Sequence, residues 1–206
     1  MYVSGPCRSA NPSYDRSMRR FYFAAVLLFA LSITSGHAAT ISGIVVPETY
    51  NVNGQTLRLN GAGLRTLTIF QVSIYVAALY VPQPSHDAET IQAEPGAKVI
   101  VLHFLHDASK AQVEAEFRKG EQLNCGKGEC DPADVPDFER LIAASPAVKV
   151  GDTSTYIYTP NRVRVLANDR QIGDFTDADL SRRLLIGFIG PHPPSESLRD
   201  ALLGVK

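Results

Sequence analysis

Residues 64–81 read LRTLTIFQVSIYVAALYV. No later stretch of the chain is as apolar. Its β-branched and aromatic residues suit a pleated, half-buried surface, so the segment predicts a strand, or two strands with a sharp bend near Gln71. Upstream, Thr40 to Val46 alternates and is β-rich, and Gln55 to Leu59 predicts a second short strand between turn signals at Asn53-Gly54 and Asn60-Gly61. Downstream, Asp87 to Ala93 predicts a short helix ended by Pro95-Gly96, and Lys98 to His106 a strand.

Ser109 then stands as the N-cap of a helix running to Leu123. Val113 and Phe117 lie on its apolar side, and Glu114, Glu116, Arg118 and Lys119 on its wet side. Val135 to Ala144 is a second amphipathic helix. Thr153 to Thr159, Arg162 to Ala167 and Gln171 to Phe175 are strands joined at Pro160-Asn161 and Asn168-Asp169. Thr176 caps a helix to about Phe188, and Ser195 to Leu203 forms the last one. Runs of strands with segregated helices give an α+β class: an antiparallel sheet with helices packed on one face. The layer between them is a plain core or a ligand pocket.

The N-terminus reads as an address. Arg16, Arg19 and Arg20 precede an apolar run from Phe21 to Ile33 broken only by Ser32, and Gly36-His37-Ala38 has the small-x-small pattern of a cleavage site. This is the pattern of a secretory signal peptide, too short to span a bilayer comfortably. The expectation is an N-terminal extension and signal over residues 1–38, one domain over 39–206, and a periplasmic or secreted product. Residues 1–17 fit no element, so Met18 is the more natural start of the signal.

The chain has 206 residues and a net charge of −1; 45% of them are hydrophobic and 20% charged. That balance excludes a disordered chain and argues against nucleic acid as the main partner. Cleavage after Ala38 would remove four arginines and one aspartate, leaving −4. It would also remove Cys7, leaving Cys125 and Cys130, which in an oxidising compartment are most simply a disulfide closing a small loop. A zinc pair lacks the further ligands it needs, and a redox site would want CxxC.

Catalytic signatures are scarce. GxSxG, HExxH and the Walker loop are absent, and Asn60-Gly61-Ala62-Gly63 lacks the third glycine and following helix of a dinucleotide loop. His103 and His106 are too far apart in phase on a strand to hold one ion. Nothing requires a metal or an organic cofactor. Arg65 is the most informative polar residue. A long cation beside so apolar a strand must snorkel to water or meet an anion. Two readings stay open: a rim arginine paired with a surface carboxylate, or an anchor for an anionic head group inside a pocket.

Leu59-Asn-Gly-Ala-Gly-Leu-Arg65 followed by Val72-Ser-Ile-Tyr-Val-Ala-Ala-Leu-Tyr80 resembles the opening of chalcone isomerase-like domains. Lys98 to His106, Gly151-Asp152, Leu184 to Gly190 and Leu198 to Gly204 fit later parts of the same pattern, over about residues 41–204. The chain looks most like the bacterial, secreted branch. The resemblance implies an open-faced β-sandwich, a large antiparallel sheet under a layer of helices. In plant chalcone isomerases an arginine matching Arg65 contacts the substrate, and a threonine on the next strand helps to polarise its carbonyl. Tyr75 stands in the threonine's place here. Tyrosine there is what the fatty-acid-binding members carry, and in them the Arg and Tyr hold the carboxylate.

The isomerases also use a tyrosine and an asparagine on the helix after the central strand. Ser109 to Leu123 contains neither, and Asn124 lies just beyond. The implied function is therefore non-catalytic binding of a fatty acid or similar small apolar carboxylate by Arg65 and Tyr75. Ile69, Ile74, Val76 and Leu79 are candidates to line the pocket or the core. The alternative is an isomerase or intramolecular lyase acting on an enone.

Overall fold

Seven antiparallel strands follow one another across a single sheet in chain order: β3 (Thr49–Val52), β4 (Gln55–Leu67), β5 (Val72–Val81), β6 (Lys98–Phe104), β7 (Thr153–Thr159), β8 (Arg162–Ala167) and β9 (Arg170–Phe175). A separate two-stranded ribbon precedes it, β1 (Ala39–Ile41) paired with β2 (Ile44–Val46). These elements come from a computed structural model that describes residues 1, 5, 38–67, 71–125, 134–193 and 195–205. By its internal contacts the chain divides into residues 1–35 and 36–206, and these elements belong to the second unit. The signal-like run, Met18, Ile69 and Cys130 lie outside the described residues.

Alternation on the central strands sorts their side chains to two faces. Ala77, Leu79 and Val81 of β5 share one buried cluster with Ile100 and Leu102 of β6, Tyr156 and Tyr158 of β7, and Val163 and Val165 of β8. Four helices supply the opposing layer: α1 (Ala88–Ala93), α3 (Val135–Ala144), α4 (Ala178–Ile189) and α5 (Glu196–Leu202) contribute Ile91, Leu141, Leu184 and Leu202, among others. Val76, Ala78 and Tyr80 point the other way, into a second core with Val46, Leu57, Val99 and Val101. The sheet curls enough for Arg164 on β8 to donate to the Asn53 side-chain oxygen at the β3–β4 turn, 2.8 Å away. The helices thus cover one face, as expected, and the curl and the N-terminal ribbon bury much of the other.

Three local readings need correction. Thr40 to Val46 is a hairpin, because Ser42 and Gly43 both take positive φ (48° and 81°) and reverse the chain. Asn60-Gly61 is not a turn: β4 runs through it with a register shift between Leu59 and Gly61. The glycines there serve close approach instead. A Cβ on Gly61 would lie 2.6 Å from the Leu202 carbonyl oxygen, and one on Gly63 would lie 2.5 Å from the Ala201 Cβ, so α5 can rest on this strand only because both are bare. Helix α4 is capped by Asp177 rather than Thr176; its carboxylate accepts from the Asp179 and Leu180 amides. The bend near Gln71 is real, with Gln71 at φ 53° between β4 and β5.

Candidate functional site

Glycine at 61 and 63 and arginine at 65 occupy alternate positions of β4, so all three face the helical layer. Helix α5 covers the first two. Arg65 lies beyond its reach, and the Arg65↔Tyr75 register pair sets the tyrosine of β5 directly beside it. Above this pair runs α2 (Lys110–Cys125). Its sequence explains its looseness: it is largely polar, and only Asn124 among its residues is buried. Ser109 starts it with a reciprocal cap, its hydroxyl and amide both donating to the Gln112 side-chain oxygen. Phe117 meets Phe138 of α3 edge to face at 6.3 Å, and Arg118 forks onto Glu139 at 2.8 and 2.9 Å. The helix is therefore fixed along its α3 side and roofs a space rather than filling one.

That space is a cavity of about 390 Å³ between α2 and the sheet. Its apolar wall includes Ile74, Leu102, Phe104, Phe117, Leu184 and Phe188. A volume of this size is at the small end of the range for ligand sites, and a mostly apolar wall with a few polar groups is their usual make-up. Arg65 and Tyr75 both line it. Of the other lining candidates, Ile74 is in the wall, whereas Val76 belongs to the core on the far side of the sheet and Leu79 to the core under the helices.

Arg65 is 4% exposed. Its Nη2 donates to Glu116 Oε2 at 3.0 Å, while its Nη1 is buried with no hydrogen-bond partner among the described residues. The first reading of this arginine is met in part, since it pairs with a half-exposed carboxylate on α2, but from a buried place in the cavity wall rather than a rim. A buried donor without an acceptor costs free energy that a ligand oxygen would recover. Burial pushes the Tyr75 hydroxyl up to about 12; nearby Arg65 opposes the rise and Glu116 adds to it. Tyr75 is therefore a neutral O–H donor at any physiological pH. Its ring packs edge-on against Phe104, centroids 5.8 Å apart, which fixes its orientation.

A second polar region, not foreseen as such, lies on the same wall. Asn124 is inside α2, which extends to Cys125, so the expectation that this helix lacks an asparagine is corrected. Its amide nitrogen donates to the Gly120 carbonyl at 2.9 Å, and its buried oxygen has no partner among the described residues. Nearby Arg183 of α4, also cavity-lining, sits over the Phe138 ring at 4.3 Å and pairs with Asp134 at 2.6 Å and Glu121 at 3.6 Å. Burial holds the Asp134 carboxyl above the usual range, against the pull of Arg183. Nothing in the local sequence marked Arg183, because its partners come from segments far apart in the chain.

The histidines are not brought together at the cavity. His106 is on its rim, and His103 follows the phase of Val99 and Val101, toward the other face. Burial lowers the His103 pKa. No group of three His, Cys, Asp or Glu among the described residues could hold a metal ion, and no helix among them is long and apolar enough to cross a membrane.

Comparison with known proteins agrees with this architecture. Among solved structures, an Arabidopsis thaliana fatty-acid binding protein superposes with a TM-score of 0.62 over 81% of this chain and 96% of that one, at 16% identity. Similarity at that level speaks to the fold. No curated protein matches the sequence. The family model described as chalcone isomerase-like matches residues 38–204, nearly the whole of the folded unit. A curled seven-stranded antiparallel sheet, a helical layer and a match over that length lead to one conclusion: the chain belongs to the chalcone isomerase-like family.

Proposed function

We propose that this protein binds a fatty acid, or a similar small apolar carboxylate, without transforming it. The observation that carries the reading is the buried Nη1 of Arg65, unpartnered at the polar end of an apolar cavity. A carboxylate placed there would accept from the guanidinium and from the neutral Tyr75 hydroxyl, while the acyl chain lies along Ile74, Phe104, Phe117 and Phe188. Charge-assisted bonds are shorter and stronger than neutral ones, and the low dielectric of the cavity strengthens them further. The fatty-acid binding described for the Arabidopsis protein supports the same ligand class.

The test is displacement of a fluorescent fatty acid. Arg65→Ala should weaken binding about 10- to 100-fold, the range of a charge-assisted hydrogen bond. Its melting temperature should stay within a few degrees of wild type, because Glu116 is half exposed and can turn to water. Unchanged affinity would overturn the assignment.

A second reading is isomerisation of an enone, with Arg65 stabilising developing negative charge. One observation favours it: Asn124 stands in the helix that roofs the cavity and presents an unpartnered oxygen. Turnover of chalcones by the purified protein decides between the two.

The secretory route belongs to the proposal as well. Residues up to Ala38 act as a cleaved signal, and in the oxidising compartment beyond the membrane Cys125 bridges Cys130, pinning the end of α2 that carries Asn124. Intact-mass and free-thiol measurement on protein secreted from its own leader should give a chain starting at Ala39 with no free thiol. An uncleaved chain, or two free thiols, would contradict it.

A further inference from the structure

Glu116 already sits on the Arg65 guanidinium, 3.0 Å from Nη2. The pair is uneven in burial: the Arg65 side chain is 5% exposed and that of Glu116 54%. The arginine is fixed in the wall, and the glutamate reaches down to it from the solvent side of the roof helix. The other acidic groups lining the cavity are engaged elsewhere. Asp107 accepts from Lys149 at 2.9 Å and from the Val150 amide at 2.8 Å, and Glu121 pairs with Arg183. Glu116 is therefore the carboxylate that decides how much of the Arg65 charge a ligand meets.

We propose that Glu116 is a specificity-determining residue that sets the discrimination between free acids and their neutral esters. The inference rests on the carboxylate-binding reading above and deepens it. With Glu116 seated, the arginine still presents its unpartnered Nη1, but from a pair that is neutral overall. A neutral carbonyl can use that donor as it stands. A carboxylate cannot do so without repulsion, since two negative groups would then share one guanidinium in a largely apolar pocket. An acid that forks across Nη1 and Nη2 brings its charge against Glu116, and Glu116 swinging out to water relieves that repulsion. Its exposure permits that movement, and each acid molecule bound must offset the lost ion pair. Glu116 thus weakens acids selectively and leaves esters nearly untouched.

The test compares palmitic acid with methyl palmitate, each displacing a fluorescent fatty acid from wild-type protein and from Glu116→Gln. Glutamine keeps an oxygen that can accept from Nη2, so any orienting role survives while the charge is lost. The acid should bind about 3- to 10-fold more tightly to the variant, the range expected for a half-exposed ion pair, and the ester within about twofold of wild type. A parallel change in acid and ester would mean that Glu116 only orients Arg65, and a weakened acid would mean that it assists binding. Either result overturns the inference while the carboxylate-binding reading stands. Wild-type protein that binds neither ligand through Arg65 would overturn both.

Discussion

Arg65 and Tyr75 owe their pairing to one register match between neighbouring strands, and each is changed by the burial that results. The tyrosine's chemistry follows from its surroundings: a phenol that stays protonated to about 12 donates a hydrogen bond and never competes as an anion. Tyr75→Phe should therefore cost a ligand carboxylate about 10-fold in affinity, the lower end for a hydrogen bond to a charged group, with little change in stability; a loss at the upper end expected of Arg65→Ala would assign the tyrosine a bigger share. The same burial has a consequence for stability. Tyr75, Tyr80, Tyr156 and Tyr158 all have hydroxyls raised above the ordinary 10.0 by desolvation. A raised folded-state pKa contributes stability that is complete below the unfolded value and is lost as pH climbs past it. The melting temperature should thus fall as pH climbs above 10, and a thermal-unfolding series upward from about pH 9 checks it. At this scale the arginine was legible in the sequence, because a cation inside LRTLTIFQVSIYVAALYV needs a reason. Arg183 and Asn124 were not. An arginine with partners at 121 and 134, and an asparagine at the end of a polar helix, gain meaning only when α2, α3 and α4 meet.

Strands β4 and β5 show both what periodicity reveals and where it misleads. The apolar, β-branched run allowed one strand or two with a bend near Gln71, of which the second is found, and the amphipathic spacing of Val135 to Ala144 matched α3. The Asn60-Gly61 pair misled, since the residues that mark turns also mark places where another backbone comes close. Here the cause is α5, whose Ala201 and Leu202 lie against bare Cα atoms of a strand. Gly61→Ala should push α5 off β4 and lower the melting temperature by several degrees or more, whereas Gly120→Ala, in open space on α2, should be neutral or slightly stabilising. Equal tolerance at both positions would contradict this account of the β4 glycines. The same logic explains Ser42-Gly43, where two consecutive positive φ values turn what looked like one alternating strand into a hairpin. Helix α2 is the functional counterpart. Its few apolar side chains predicted an amphipathic helix, but only its place above β4 to β6 reveals that it roofs a cavity.

At the level of the whole molecule, the curl of the sheet divides the apolar residues into two cores, one under α1, α3, α4 and α5 and one on the opposite face. Those cores carry the stability. The cavity under α2 borders the first of them, which supplies Leu102 and Leu184 to its wall, and is roofed by a helix that contributes only Asn124 to the buried set. The α+β class, the meander order and the arginine–tyrosine pair followed from local pattern and from resemblance to a family. The second core, the cavity and the glutamate on Arg65 depend on long-range packing and had no local signature.

The central claim is that the Arg65 end of this cavity holds a carboxylate, and a crystal structure with a fatty acid brominated at its methyl end tests it most directly. The anomalous bromine signal should lie inside the cavity at the end remote from Arg65, with the carboxylate oxygens within hydrogen-bond distance of the Arg65 guanidinium and the Tyr75 hydroxyl. Bromine beside Arg65, or a lipid bound only on the outer surface with the cavity unchanged, would contradict it.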